Sequence, residues 1–175
     1  MICTAPPPQS ADLLPESFAY HSEIKAITMR PCLSLMLGFS QTLPLEFDAA
    51  HITDSAISWI AVNSNKPGRP TPFTLVAHSS EDYAKVHIDD DDKQLIEALI
   101  EQTSRIIGHD VSTADYRSIH RWRYANNTEK DKTCPVFLDK AQHLAVCGDW
   151  TLGGRVENAY LSAYNLAAKI KKSAL

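Results

Sequence analysis

The stretch from Leu144 to Ala159 concentrates the residues of this chain that are suited to chemistry. Leu144-Ala145-Val146-Cys147 reads as a short buried strand that ends at Gly148. Asp149 follows, Gly153-Gly154 makes a tight turn, and a helix opens at Arg155. Three of the six glycines fall in this one stretch. Glycine lets a backbone approach a ligand closely. The free amides of Arg155, Val156 and Glu157, at a helix N-terminus, form a site for negative charge. Asp149, at the strand end, is placed to accept hydrogen bonds from sugar-like hydroxyls. Ala159, Ser162, Ala163 and Ala167 are small enough for the helix to pack tightly or to lie against a flat ligand. The pattern is a generic anion or nucleotide cue, and it is equally compatible with a plain turn and a solvated acid. The G-x-G-x-x-G fingerprint occurs nowhere in the sequence.

A second group lies on Thr113–Tyr124, which alternates as a strand. Tyr116, Ser118, His120, Trp122 and Tyr124 share one face, and Asp115, Arg117, Ile119, Arg121 and Arg123 share the other. A histidine among aromatics suits a cavity wall; the competing reading is aromatic core with a structural histidine. Lys66 and Arg69 lie in the turn-rich segment 63–70. Their charge suits a substrate phosphate, or simply solvent. The seven histidines and four cysteines fall in no metal-ligand spacing, so no metal site is expected and a metal-dependent hydrolase is poorly supported.

The elements that position these residues mix strands and helices. A short helix is expected within 9–20, with Ser10 as its N-cap. Strands are expected over 22–30, 31–40, 56–64 and 73–78. In the third of these, Ile57, Trp59 and Ala61 alternate against Ser58 and Ile60. A helix runs from Lys93 to Ile107 with Leu95, Ile96, Leu99, Ile100, Ile106 and Ile107 inward and Gly108 as its stop. Asp89 to Asp92 suit its positive end. The residues from 126 to 133 read as a polar loop. The last helix, Arg155–Lys172, is expected to turn Val156, Ala159, Ala163, Leu166, Ala167 and Ile170 inward.

Composition narrows the class. The net charge of -4, with 44% hydrophobic and 22% charged residues, is that of an ordinary globular chain. Mild acidity without a basic block argues against nucleic acid and against an anionic membrane as partners. No apolar run approaches membrane-spanning length. The first residues lack a signal peptide's basic and apolar regions, and the scattered cysteines read as reduced thiols of a cytoplasmic protein. Met1-Ile2-Cys3-Thr4-Ala5 reads as the last part of a buried strand.

The segment Gly148-Asp149-Trp150-Thr151-Leu152-Gly153-Gly154-Arg155-Val156-Glu157-Asn158-Ala159-Tyr160-Leu161-Ser162 closely resembles the C-terminal flavin-binding motif of the amine-oxidase superfamily, with its best match among renalase-like FAD-dependent oxidoreductases. His120-Arg121-Trp122-Arg123-Tyr124-Ala125, Pro31-Cys32 through Gly38-Phe39, Trp59 with 63–69, and Ala5-Pro6-Pro7-Pro8-Gln9 resemble the same branch. The resemblance covers nearly the whole chain, in order.

It implies an α+β fold: an antiparallel-rich mixed sheet with flanking helices as the substrate domain, plus the C-terminal strand–turn–helix of an FAD-binding domain. The implied division is 1–20 as a remnant of the FAD-binding domain, 21–125 as the substrate domain and 126–175 as the C-terminal part of the FAD-binding domain. FAD is the implied cofactor, held by Gly148, Asp149, Gly153, Gly154, Arg155, Val156, Glu157 and Ala159, with Asp149 on the ribityl chain. The resemblance places the strand carrying His120 in the substrate domain, near the flavin; on that placement His120 and Trp122 are read as the catalytic pair, and Trp59, Tyr124, Lys66 and Arg69 as substrate contacts. The implied reaction is hydride transfer from a carbon–nitrogen centre to flavin with dioxygen as final acceptor; the substrate is an amine or a reduced nicotinamide-type dinucleotide. The alternative is a non-catalytic small-molecule binding module with the same substrate-domain fold. The family's opening Rossmann unit, whose glycines hold the pyrophosphate, has no counterpart in this sequence. The chain alone is therefore expected to bind FAD weakly or not at all and to be inactive. Its last helix is expected to be exposed, with a homodimer as one consequence.

Overall fold

The computed structural model describes residues 1–69, 72–127 and 136–173. The chain divides into two compact units, Met1–Arg30 with Tyr124–Leu175, and Pro31–Arg123. Together they make an α+β fold with one mixed and one antiparallel-rich sheet.

The first unit is built on a three-stranded sheet. Strand β1 (Ile2–Cys3) runs parallel to β8 (Leu144–Val146), with Ile2 opposite Ala145 and Cys3 opposite Val146, and β7 (Phe137–Asp139) runs antiparallel to β8 on its other side. The opening residues are thus a strand, as expected. Cys3, Phe18, Ile24, Phe137, Val146 and Trp150 form the core of one face. Ala145, Cys147 and Leu166 form a smaller core on the other, under helix α5 (Val156–Ser173).

Two short helices correct the expectations for this part. Helix α1 is Pro7–Leu13, starting earlier than Ser10 because Pro7 and Pro8 occupy the first turn, where missing amide protons cost nothing. Ser10 is instead buried inside it, donating to the Ala5 carbonyl at 2.8 Å. The strand expected over 22–30 is helix α2 (His21–Lys25) in its first part, with Ile24 fully buried, and strand only from Met29 onward. One buried residue on a single helical turn imitates half a strand period, and so the pattern misleads.

The second unit is a five-stranded sheet in the order β3 (Ala49–His51), β4 (Ile57–Val62), β5 (Phe73–Ser79), β2 (Met29–Phe39), β6 (Tyr116–Asn127). One face carries Leu33, Leu35, Leu37, Leu75 and Ala77 into a core closed by Leu95, Leu99 and Ile100 of helix α4 (Asp92–Ile107). Strand β4 departs from simple alternation. A bulge between Ile57 and Trp59 shifts its phase, so Ile57, Ile60 and Val62 face the core while Trp59 is turned out. Helix α3 (Glu81–His87), capped by the Ser80 hydroxyl, was not legible in the sequence.

The acidic run before α4 is used residue by residue. Asp91 caps the helix, accepting from the Lys93 and Gln94 amides. Asp92 pairs with Arg121, and Asp89 accepts from Arg123 at 2.6 Å. Arg121 also donates to the carbonyls of Ile88 at 2.8 Å and Asp90 at 2.5 Å. The arginine face of β6 therefore clasps the α3–α4 connection. The strand starts at Tyr116, later than expected, and continues to Asn127; the rest of the loop expected over 126–133 lies outside the described residues.

Candidate functional site

In the first unit, β8 ends at Cys147 and the chain enters a single turn of 3-10 helix over Asp149–Leu152, then Gly153 and Gly154, then α5. Both turn glycines have positive φ, 92° and 68°. A Cβ on Gly154 would stand 2.7 Å from the Asn126 side-chain Oδ1, which would have to move, and the positive φ strains any other residue there. The turn is locked by hydrogen bonds. Gly154 N donates to Asp149 O at 2.9 Å, Asn158 Nδ2 to Leu152 O at 2.6 Å, and Gly148 N to Ser162 Oγ at 3.1 Å. The Thr151 hydroxyl reaches both Gly148 O and Ser162 Oγ at 2.8 Å.

Trp150 is buried beneath this turn. Its Nε1 donates to Ala5 O at 3.2 Å, and its carbonyl accepts from Asn127 Nδ2 at 2.9 Å. The polar groups of the turn are thus spent on holding its shape, with two exceptions. The first is the Asp149 carboxylate, half-buried and without a hydrogen-bond partner among the described residues. The second is the mouth of α5. The Ala159 amide donates to Arg155 O at 3.2 Å, which sets Arg155 at the helix start. A guanidinium has no acceptor, so Arg155 supplies no cap to the amides that follow it. Those amides, on Val156 and Glu157, belong to exposed residues, Val156 being 93% exposed. The result is an exposed helix mouth of the kind that suits negative charge, preceded in the chain by the Asp149 carboxylate.

The structure brings Gly148, Asp149, Gly153, Gly154, Arg155, Val156 and Glu157 together as the sequence predicts. Ala159 lies just inside the helix and is exposed. The inward stripe of α5 needs correction: Ser162 and Leu166 are buried, whereas Val156, Ala159, Ala163, Ala167 and Ile170 are exposed. The helix touches its sheet along a narrow line, and Ser162, at the centre of that line, faces the turn as a hydrogen-bonding partner. Sequence reasoning missed Asn126, Asn127, Thr151 and Asn158 as turn supports. Only the Asn158–Ser162 spacing of one helical turn hinted at a shared face.

In the second unit, the sheet face opposite the leucine core gathers most of the other candidates. A Cβ on Gly38 would lie 3.3 Å from Tyr116 Cβ, and Ile119 packs toward the core, so Tyr116, Ser118, His120 and Trp122 share the outward face. The His120 and Trp122 rings meet edge to face at 4.3 Å, and Trp122 is 54% exposed. Trp59 is on the same face, 38% exposed, three strands away or about 14 Å. Opposite Trp59 lie His51 on β3 and His78 on β5, and opposite His78 lies Ser34 on β2. Sequence reasoning did not single out this row. Burial and the Lys66 cation hold the His78 imidazole below the usual histidine range. Lys66 and Arg69 are exposed on the turn after β4, where the Arg69 amide donates to the Lys66 carbonyl at 3.2 Å. Tyr124 belongs to the first unit and is half-exposed. Among the described residues no group of three or more His, Cys, Asp or Glu side chains gathers to hold a metal ion, and no helix is long and apolar enough to cross a membrane.

One unit carries a glycine-hinged strand–turn–helix and the other an antiparallel-rich sheet; the chain belongs to the flavin-containing amine oxidoreductase family, which matches it over residues 1–171. Its fold is similar to that of a protein from Exiguobacterium assigned as a protoporphyrinogen oxidase, with a TM-score of 0.78 and 17% identity over 98% of this chain and 41% of that one. It is also similar to wild-type putrescine oxidase bound to putrescine, with a TM-score of 0.67 and 13% identity over 98% and 42%. Cyclohexylamine oxidase from Brevibacterium oxydans gives 0.66 and 14% over 99% and 42%. At these identities the likeness is one of fold, and the chain spans 41% or 42% of the length of these proteins.

Proposed function

We propose that these residues form the substrate-binding part and the C-terminal flavin-binding part of an FAD-dependent amine oxidase. The supporting observation is the exposed start of α5, where Val156 is 93% exposed, following a turn whose Gly153 and Gly154 both have positive φ, together with an Asp149 carboxylate that has no hydrogen-bond partner among the described residues. These groups fit a flavin nucleotide: the amides of Val156 and Glu157 suit the negative charge of its reduced ring or its pyrophosphate, and Asp149 suits the hydroxyls of its ribityl chain. Flavin, when bound, supplies the hydride acceptor and passes the electrons to dioxygen, giving hydrogen peroxide. The chain's own residues bind and orient. The first unit carries Gly148, Asp149, Gly153, Gly154 and the α5 mouth, with Ala159 just inside it, as the flavin contacts. The second carries His120, Trp122 and Trp59 as the wall that receives the substrate, with Lys66 and Arg69 at its rim; Tyr124 adds a further aromatic contact.

The finer reading is renalase-like, with a reduced nicotinamide-type substrate; the putrescine and cyclohexylamine oxidases of similar fold point instead to simple amines. The test is the natural polypeptide containing these residues. It is expected to purify with a flavin absorbance band and to evolve peroxide with an amine or a reduced nicotinamide. Replacing Asp149 with Ala should weaken flavin retention at least tenfold. A full-length product without flavin, inert toward both substrate classes, overturns the reading.

A further inference from the structure

We propose that a small cavity enclosed by β7, β8, the 3-10 turn and α5 is the binding site of one structural water molecule, held by Ser162, Thr151 and Asn165, and that this water completes the hydroxyl pair on which the Gly148 amide rests. The proposal is independent of the flavin reading, since it concerns how the turn keeps its shape and not what the turn binds.

The first argument is room. The cavity measures about 30 Å³ and lies wholly within the first unit. By the same measure a water molecule needs roughly 10–15 Å³, so a single water fits and a larger ligand does not. Phe137, Val146 and Leu152 form apolar walls, while Thr151, Ser162 and Asn165 supply polar atoms. Cavities that stay dry are apolar; one that offers a water two to four polar partners holds it.

The second argument is a count of protons. Thr151 is 4% exposed and Ser162 7%, so both hydroxyls are cut off from bulk water. Each hydroxyl has one proton and two lone pairs. Ser162 Oγ accepts from Gly148 N at 3.1 Å, and Thr151 Oγ1 lies 2.8 Å from both Gly148 O and Ser162 Oγ. If Thr151 gives its proton to Gly148 O, Ser162 gives its own to Thr151, and each oxygen keeps one lone pair unused. If Thr151 gives its proton to Ser162, both Ser162 lone pairs are filled, and the Ser162 proton has no acceptor among the described residues. Either way the buried pair is at least one partner short, and buried polar groups are normally satisfied. A water supplies the missing partner as donor or as acceptor.

The third argument is the far wall. Asn165 follows Ser162 by three residues and shares its helix face. Its side-chain amide borders the cavity and has no hydrogen-bond partner among the described residues. An amide both donates and accepts, so it receives the water in either orientation. No charged side chain lines the cavity. A buried ion would therefore lack a counter-charge, and a neutral water is the ligand that fits.

Magnetic relaxation dispersion of the water oxygen counts the waters that stay bound far longer than surface water does. The chain should hold one more of them than Asn165→Leu, which fills the space and withdraws the amide. It should also hold one more than Thr151→Val, which keeps the shape and withdraws a hydroxyl. In both variants the Gly148 amide should exchange its hydrogen severalfold faster. Asn165 is exposed, so its replacement leaves the fold intact, and amide spectra identify which variants fold as the parent does. A water count that no folded variant lowers, or Gly148 exchange that stays at the parental rate, would each overturn the proposal.

Discussion

The indole of Trp150 lies so close to the backbone of Gly148 that a Cβ on that glycine would stand 2.5 Å from Nε1 and 2.8 Å from Cδ1. The strand end and the buried ring beneath the turn are thus fitted to each other, and the ring cannot retreat without giving up its hydrogen bond to Ala5 O. Gly148→Ala should destabilise the first unit by about 1–3 kcal/mol through overpacking. Thermal unfolding followed by tryptophan fluorescence checks this. A variant as stable as the parent would mean that Trp150 is free to move.

The clasp of Arg121 makes a second prediction. It combines a carboxylate partner with two carbonyls across the α3–α4 connection, and its side chain is only 24% exposed. Arg121→Ala should cost about 1–3 kcal/mol. Arg123→Ala removes a single, half-exposed pair with Asp89 and should cost less than about 1 kcal/mol, with most of that effect lost at high salt. Urea unfolding of both variants at low and high salt reads the difference; equal costs would show that the carbonyl contacts contribute nothing.

Acid stability should depend on Asp139. The Gln142 amide, first, and the Ala19 amide donate to its carboxylate, at 3.1 Å and 3.2 Å, and hold it below the usual carboxylate range. The unfolded chain then binds a proton more readily than the folded one, so this contribution is complete above the ordinary aspartate value and is lost as pH falls through the depressed folded value. The gap in melting temperature between the parent and Asp139→Asn should therefore be widest near neutrality and close in acid. A gap independent of pH would contradict the assignment.

How much of this was readable in the sequence depended on whether the local signal was backed by the surroundings. The α4 helix was legible because apolar period, acidic cap and terminal Gly108 agree. The hinge was legible because three glycines and an acid cluster within a few residues. The α2 helix was not, since a single turn with one buried Ile24 carries no period. The outward turn of Trp59 was hidden by the bulge, which reverses the phase of alternation within β4. The inward stripe of α5 was misread because alanines fit either face of a helix; what fixes it is the polar contact of Ser162 with the turn. The His78 row was invisible because it joins residues far apart in the chain through sheet register alone.

The central claim is that the mouth of α5 and Asp149 are a flavin half-socket, and the most direct measurement is amide chemical-shift mapping of the isotope-labelled chain during titration with FAD. The account predicts weak, millimolar binding, with shifts confined to Gly153, Gly154, Val156, Glu157 and the neighbouring backbone, and their loss in Asp149→Ala. Shifts that appear away from the hinge and survive the Asp149 substitution would contradict it.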